Sequence, residues 1–125
     1  ALASGQTVLC DRFMDSTRAY QGYAGGCDMR LLDALETSIV AETRPNLTLI
    51  FDLDPADGLA RAKTRNDGYE DRYERKGIAF HQALRRGFLK IAEGDPARCR
   101  IIDATASVEA VAERVQKALG ALFHG

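Results

Sequence analysis

Leu9-Cys10-Asp11-Arg12-Phe13-Met14-Asp15-Ser16-Thr17-Arg18-Ala19-Tyr20-Gln21-Gly22 decides how this chain is read. The run Thr7-Val8-Leu9-Cys10 that leads into it is apolar and β-prone, so it is expected to be a strand ending in a carboxylate and a guanidinium. Open α/β sheets bind their ligands at the carboxyl edge of the strands, where Asp11 and Arg12 would then stand. Arg12 offers a planar fork that donates two parallel hydrogen bonds to a phosphate. Asp11 can support a magnesium ion through its water shell. A helix beginning near Asp15 or Ser16 would gather Ser16, Thr17, Tyr20 and Gln21 within about one turn, where hydroxyl, phenol and amide could meet one small ligand. An Asp-Arg pair by itself means little, because exposed ion pairs contribute at most about 1 kcal/mol. The whole string is the specific signal, and Phe13 within it reads as core.

Outward from that string, β-like runs alternate with helical patterns, which predicts an α/β fold with a parallel sheet and crossover helices. The other expected strands are Leu47 to Leu53 and Arg100 to Ile102. Leu31, Leu32, Leu35 and Ile39 repeat at helical spacing after Asp28 as a cap, and that helix should stop near Arg44, ahead of Pro45. Asp54-Pro55 provides an N-cap and a first helical residue. Phe80, Leu84, Phe88 and Ile91 form an apolar stripe ending before Gly94-Asp95-Pro96. A last helix capped by Ser107 places Val108, Val111, Ala112, Val115, Ala118, Leu119 and Leu122 on one face. These stripes are read as core.

With 125 residues and 46% hydrophobic content, one domain with a sizeable core is expected. The formal charge of −1 gives no polyanion-binding signal, so no nucleic-acid partner is expected. Cys10, Cys27 and Cys99 lack paired spacing and read as buried small hydrophobes in a reducing compartment. No run is long enough to span a membrane and residues 1 to 8 do not resemble a signal peptide, so a soluble cytoplasmic protein is expected. His81 and His124 have no ligand-spaced partners, and no protein-ligated transition metal is expected; His81 reads as half-buried on its helix. The segment from Arg61 to Lys76 is dense in both charges around Asn66-Asp67-Gly68 and reads as a mobile loop.

The Asp11 to Gly22 string resembles the thymidine-monophosphate-binding segment of bacterial thymidylate kinases. The resemblance continues through Arg44-Pro45-Asn46-Leu47-Thr48-Leu49-Ile50-Phe51-Asp52-Leu53, Gly58-Leu59-Ala60-Arg61-Ala62-Lys63-Thr64-Arg65, Asp71-Arg72-Tyr73-Glu74 and Ile102-Asp103-Ala104-Thr105. It implies a P-loop NTPase-like parallel sheet with flanking helices, with the phosphate-loop strand lying between the strand ending at Asp11 and the strand ending at Asp52. It also implies magnesium-assisted transfer of the ATP γ-phosphoryl group to dTMP. On this resemblance Arg12 holds the monophosphate, Asp11 lies near the magnesium shell, Thr17 and Gln21 approach the thymine, and Tyr20 lies against the deoxyribose. Ser16 serves as a helix cap or as a hydrogen-bond donor behind the contacting groups. Arg72, in a lid at about 63–76, is the first candidate for a catalytic arginine. Arg65 stacks on the adenine, and Asp103, Ala104 and Thr105 line the adenine loop. The implied assembly is a homodimer packed through helices, to which the stretch after Asp28 could contribute.

The pattern G-x-x-x-x-G-K-[ST], which cradles donor phosphates, does not occur between Ala1 and Gly125. Ala1-Leu2-Ala3-Ser4-Gly5 reads like a helix tail closed by glycine. The expectation is the C-terminal part of a single kinase domain, missing the N-terminal strand and phosphate loop, catalytically incomplete and prone to strand swapping or low stability. The alternatives are another deoxynucleoside or nucleoside monophosphate kinase, or a non-catalytic fragment of one.

Overall fold

Two of the three expected strands form, and they pair with each other. The computed structural model describes residues 1–65 and 77–124. In chain order the elements are α1 (Met14–Thr17), a π-helical turn (Arg18–Tyr23) that continues it, α2 (Met29–Ile39), β1 (Thr48–Asp52), α3 (Pro55–Arg65), α4 (Ile78–Gly94), β2 (Cys99–Asp103) and α5 (Val108–His124). Strands β1 and β2 are parallel, with Thr48 opposite Cys99 and Asp52 opposite Asp103. Parallel neighbours need a long crossover, and helices α3 and α4 lie within it. Thr48 N–H donates to Arg98 O at 3.0 Å and Ala104 N–H to Asp52 O at 2.9 Å, so the ladder extends one residue beyond each end.

The run Thr7 to Cys10 is not the expected strand. All four residues are exposed, Leu9 at 89%, and none pairs with β1 or β2. The physical reason is the lack of a partner: a β-prone sequence gains order from ladder bonds and packing, and without a neighbour its groups stay with water. The resemblance itself puts another strand between this run and β1. Residues Arg61 to Arg65, expected in a mobile loop, are instead the last turn of α3. The rest of that loop lies outside the described residues.

The caps fall where the sequence put them. Asp28 accepts from Arg30 N–H at 2.9 Å and Asp54 from Ala56 N–H at 2.9 Å, while Ser107 Oγ accepts from Ala110 N–H at 3.2 Å. Each cap satisfies an otherwise orphaned donor and contributes about 1 kcal/mol. Gly5, in the left-handed region at φ 78°, closes a short 3-10 turn over Leu2–Ser4.

Helix α4 is the centre of the core. Leu84, Ile91 and Ala92 cluster with Ala19 of the π turn, Ile50 of β1 and Cys99 of β2, and Tyr20, Phe80 and Phe88 pack against them. Full burial of each large aliphatic side chain contributes about 1.5–3 kcal/mol. The other stripes are less covered than expected. On α2 only Leu32 is buried, while Leu31, Leu35 and Ile39 are 53%, 45% and 73% exposed. On α5, Val111, Val115, Ala118 and Leu119 are half-buried, and Val108, Ala112 and Leu122 are exposed. Helical periodicity marks an apolar face, but the protein must supply something to cover it. Of the cysteines, Cys99 is buried as expected, with its pKa pushed up by burial, whereas Cys10 is exposed and Cys27 half-buried.

Gly87 permits the tight contact between α4 and the π turn: a Cβ built there would lie 2.7 Å from Tyr23 Cβ. Alanine would gain about 1 kcal/mol of helix propensity, but the clash meets a Cβ that cannot swing aside. Gly87→Ala is expected to destabilise the chain by about 1–2 kcal/mol net, read as a lower urea midpoint. An unchanged or raised midpoint would show that the two elements can separate freely.

Candidate functional site

Arg12 is the one non-glycine residue with positive φ among the described residues, at φ 63°. A side chain there costs about 1–2 kcal/mol, and such outliers gather at functional sites. The conformation sits between the exposed Asp11 and the start of α1. Cys10 Sγ donates to Arg12 O at 3.4 Å, and Ser16 N–H donates to Phe13 O at 3.1 Å. The helix begins at Met14, one residue earlier than expected, and Phe13 occupies the N-cap without a side-chain bond. Ser16 is therefore not the cap.

The Arg12 guanidinium folds back over Tyr20. Its Cζ lies 5.1 Å from the ring centroid and Nη2 donates to the phenol oxygen at 3.2 Å. Tyr20 lies in the π-helical turn, in which Ala24 N–H donates to Ala19 O at 3.0 Å, one residue further than in an α-helix. Single π turns concentrate at functional sites. Tyr20 is also fixed from behind, with Phe88 edge-on at 6.4 Å and Phe80 tilted at 6.3 Å between centroids. Such aromatic pairs contribute about 0.5–1.5 kcal/mol beyond burial.

Of the expected acceptor-site residues, Arg12 and Tyr20 are brought into contact. Asp11, Thr17 and Gln21 are exposed and Ser16 is half-buried, and their side chains make no hydrogen bond among the described residues. Phe13, read as core, is 42% exposed. His81 is half-buried, as expected.

At the carboxyl edge of the sheet, Asp52 and Asp103 stand side by side. Arg85 of α4 grips Asp52 with Nε at 2.7 Å and Nη2 at 3.1 Å, and reaches Asp54 with Nη1 at 3.3 Å. Hydrogen bonding to Asp52 raises the Arg85 pKa, so this cation is permanent. Asp103 Oδ1 accepts from Thr105 N–H at 3.0 Å and from its Oγ1 at 2.6 Å, which lowers its pKa and folds Asp103-Ala104-Thr105 into a tight loop. Arg61 Nη2 donates to Thr105 O at 3.1 Å and Arg114 Nη1 to Asp103 O at 2.7 Å. Arg65 closes α3, but its side chain, like Arg72 and lid residues 66–76, lies outside the described residues.

Sequence reasoning missed the ionic network beneath this site. Arg98, 7% exposed, donates to Asp15 from Nη1 at 2.7 Å and Nη2 at 3.1 Å, to Asp95 from Nε at 2.8 Å, and to Thr48 Oγ1. Burial works to lower the Arg98 pKa, but the bonds to Asp15 and Asp95 raise it, so it stays charged. Asp95 also meets Arg44 at 3.1 Å, Arg44 meets Glu36 at 2.9 Å, and Glu36 meets Arg18 at 2.6 Å. Asp95 and Arg98 are three apart and could have been paired from sequence, whereas Asp15 and Arg98 are 83 residues apart. Among the described residues, no group of three His, Cys, Asp or Glu side chains could hold a metal ion, and no helix is long and apolar enough to cross a membrane.

The family model described as thymidylate kinase matches residues 1–115. A thymidylate kinase of Solidesulfovibrio magneticus is 47% identical over 128 residues, covering 98% of this chain and 61% of that protein. One from Caulobacter vibrioides is 53% identical over 110 residues, covering 88% of this chain and 52% of that protein. The crystal structure of thymidylate kinase from Ehrlichia chaffeensis superposes with a TM-score of 0.67 at 33% identity, over 94% of this chain and 53% of that one. The chain thus spans 52% to 61% of the length of these curated relatives. The structural match identifies the parallel sheet and its flanking helices as part of a P-loop NTPase-like fold.

The network carries a pH signature. Burial works to raise the Glu36 pKa, but Arg18 and Arg44 outweigh it and hold the carboxyl below its ordinary value. Asp95 is held low by Arg98 and Arg44. Both folded values lie below the unfolded ones, so their stabilisation is present above about pH 5 and is lost as pH falls through the folded values. The urea midpoint is expected to hold between about pH 7 and 5 and to fall below that range. Glu36→Gln should lower the midpoint at neutral pH and flatten the acid slope. Equal slopes for the two proteins would remove Glu36 from this account.

Proposed function

The chain belongs to the thymidylate kinase family, and from that premise we propose that its protein transfers the γ-phosphoryl group of ATP to dTMP. The observation that carries this reading is the strained Arg12 folded onto Tyr20, beside the exposed Asp11. A guanidinium held, among the described residues, only by an exposed cation–π contact and one hydrogen bond to the same ring can turn to a phosphate at low cost, and its fork then supplies two charge-assisted bonds. Tyr20, pinned by Phe80 and Phe88, presents a rigid surface to the deoxyribose. Thr17 and Gln21, exposed one turn apart on the same segment, face the thymine, with Ser16 behind them.

Asp11 is exposed and makes no ion pair among the described residues, which suits a carboxylate that touches magnesium through water. Magnesium, when bound with ATP, neutralises charge on the phosphates. The loop Asp103-Ala104-Thr105, shaped by Arg61 and Arg114, offers an edge for the adenine, with Arg65 as the stacking group and Arg72 as the lid arginine. The protein's part in such a transfer is positioning and charge stabilisation. Residues 1–125 contain no G-x-x-x-x-G-K-[ST] loop, so the donor-phosphate cradle of this reaction is not among them. The exposed ridge Leu31, Leu35 and Ile39 on α2 suits a homodimer packed through helices, and the setting is cytoplasmic.

The test is titration of the chain with dTMP, thymidine and other nucleoside monophosphates. Saturating dTMP at about 100 times its Kd should stabilise the chain by about 2.7 kcal/mol. Arg12→Ala should weaken dTMP by about tenfold to a hundredfold, as expected for losing bonds from a charged group, and leave thymidine unchanged. Preference for another monophosphate would move the reading to a different kinase of this class. Absence of any nucleotide-dependent stabilisation would reject it for this chain.

A further inference from the structure

The carboxylate of Asp15 points inward from the first turn of α1, is 8% exposed, and is met by both Nη atoms of Arg98. An acidic residue in a first helical turn normally faces water, where it can still favour the helix dipole. Burying it costs free energy unless it is paired, and a well-packed apolar pair in the same space would often stabilise the fold as much or more. What a two-pronged ion pair adds is a fixed angle as well as a fixed distance. Asp15 lies three residues after Arg12, whose positive φ sets the direction of its side chain. Arg98 is itself held at the amino end of the sheet, by Thr48 of β1 and by Asp95 after α4, immediately before β2.

We infer that Arg98 is a positioning residue for the Arg12 guanidinium, acting through Asp15. Aromatic packing from α4 locates the Tyr20 end of the clamp, and the ion pair registers the Arg12 end against the sheet. Groups that grip a ligand need such support to hold their geometry within about 0.5 Å. The inference rests on the reading of Arg12 as the group that binds the acceptor phosphate.

The experiment measures the affinity of the chain for thymidine 5′-monophosphate and for thymidine, and compares the ratio of the two among variants. Asp15→Asn keeps the side-chain shape but removes the charge. It should lower the ratio by about tenfold or more toward the Arg12→Ala value, with thymidine affinity changed by less than about threefold. In the Arg12→Ala background the same change should have no further effect on the ratio. Arg98→Lys separates positioning from charge: a purely structural cation would be rescued by lysine, whereas the fork would not, so the ratio should stay low. If Asp15→Asn does not fold, Thr48→Val removes one partner of Arg98 and should shift the ratio in the same direction by less. A folded Asp15→Asn or Thr48→Val chain whose ratio stays at the parent value overturns the inference. An unchanged ratio in Arg12→Ala would instead reject the reading on which it rests.

Discussion

The rest of the structure depends on the bidentate pair between Arg98 and Asp15, because it joins the segment before the sheet to the base of the sheet itself. Residues 1–12 make no ladder with β1 or β2, so α1 and its π turn must be located by side chains. Apolar packing through Ala19 and Tyr20 onto α4 supplies most of the attraction. It is non-directional, however, and would tolerate some sliding. The ion pair is directional, and removing one partner of such a buried pair typically costs about 3–5 kcal/mol. From Arg98 the charge pattern runs on through Asp95, Arg44, Glu36 and Arg18, and its most exposed member is Arg44, half-exposed, where the pairing is weakest.

What could be read from the sequence was what is local. Asp28, Asp54 and Ser107 cap their helices because a side-chain oxygen reaches an N–H two or three residues on, a relation contained in a few consecutive residues. Strands β1 and β2 were legible because runs of β-branched and aromatic residues end in acidic turns. Thr7 to Cys10 has the same local character, yet it lies exposed, since a strand is a relation between segments and not a property of one.

The candidate site divides the same way. Arg12 and Tyr20 were found from the string that contains them, and the structure brings them into contact. The π turn that carries Tyr20 was not legible, because the extra residue it inserts leaves no mark in composition. Arg61 and Arg85 were equally hidden, because each acts across more than 30 residues on the ends of β1 and β2. The apolar faces of α2 and α5 were correctly located but overcounted as core, because periodicity says which side is apolar and not how much lies against it.

The side-by-side carboxylates at the ends of β1 and β2 have an electrostatic consequence for anything that approaches that edge. Two bare acids there would repel each negative charge of a nearby anion by roughly 0.5 kcal/mol apiece at about 8 Å in water, and by several times that where protein excludes solvent. Arg85 cancels the charge of Asp52 and shares that of Asp54, while Asp103 turns one oxygen toward Thr105 and lies 4.0 Å from Arg114. The edge is thereby much less repulsive to an approaching anion than its carboxylates alone would make it.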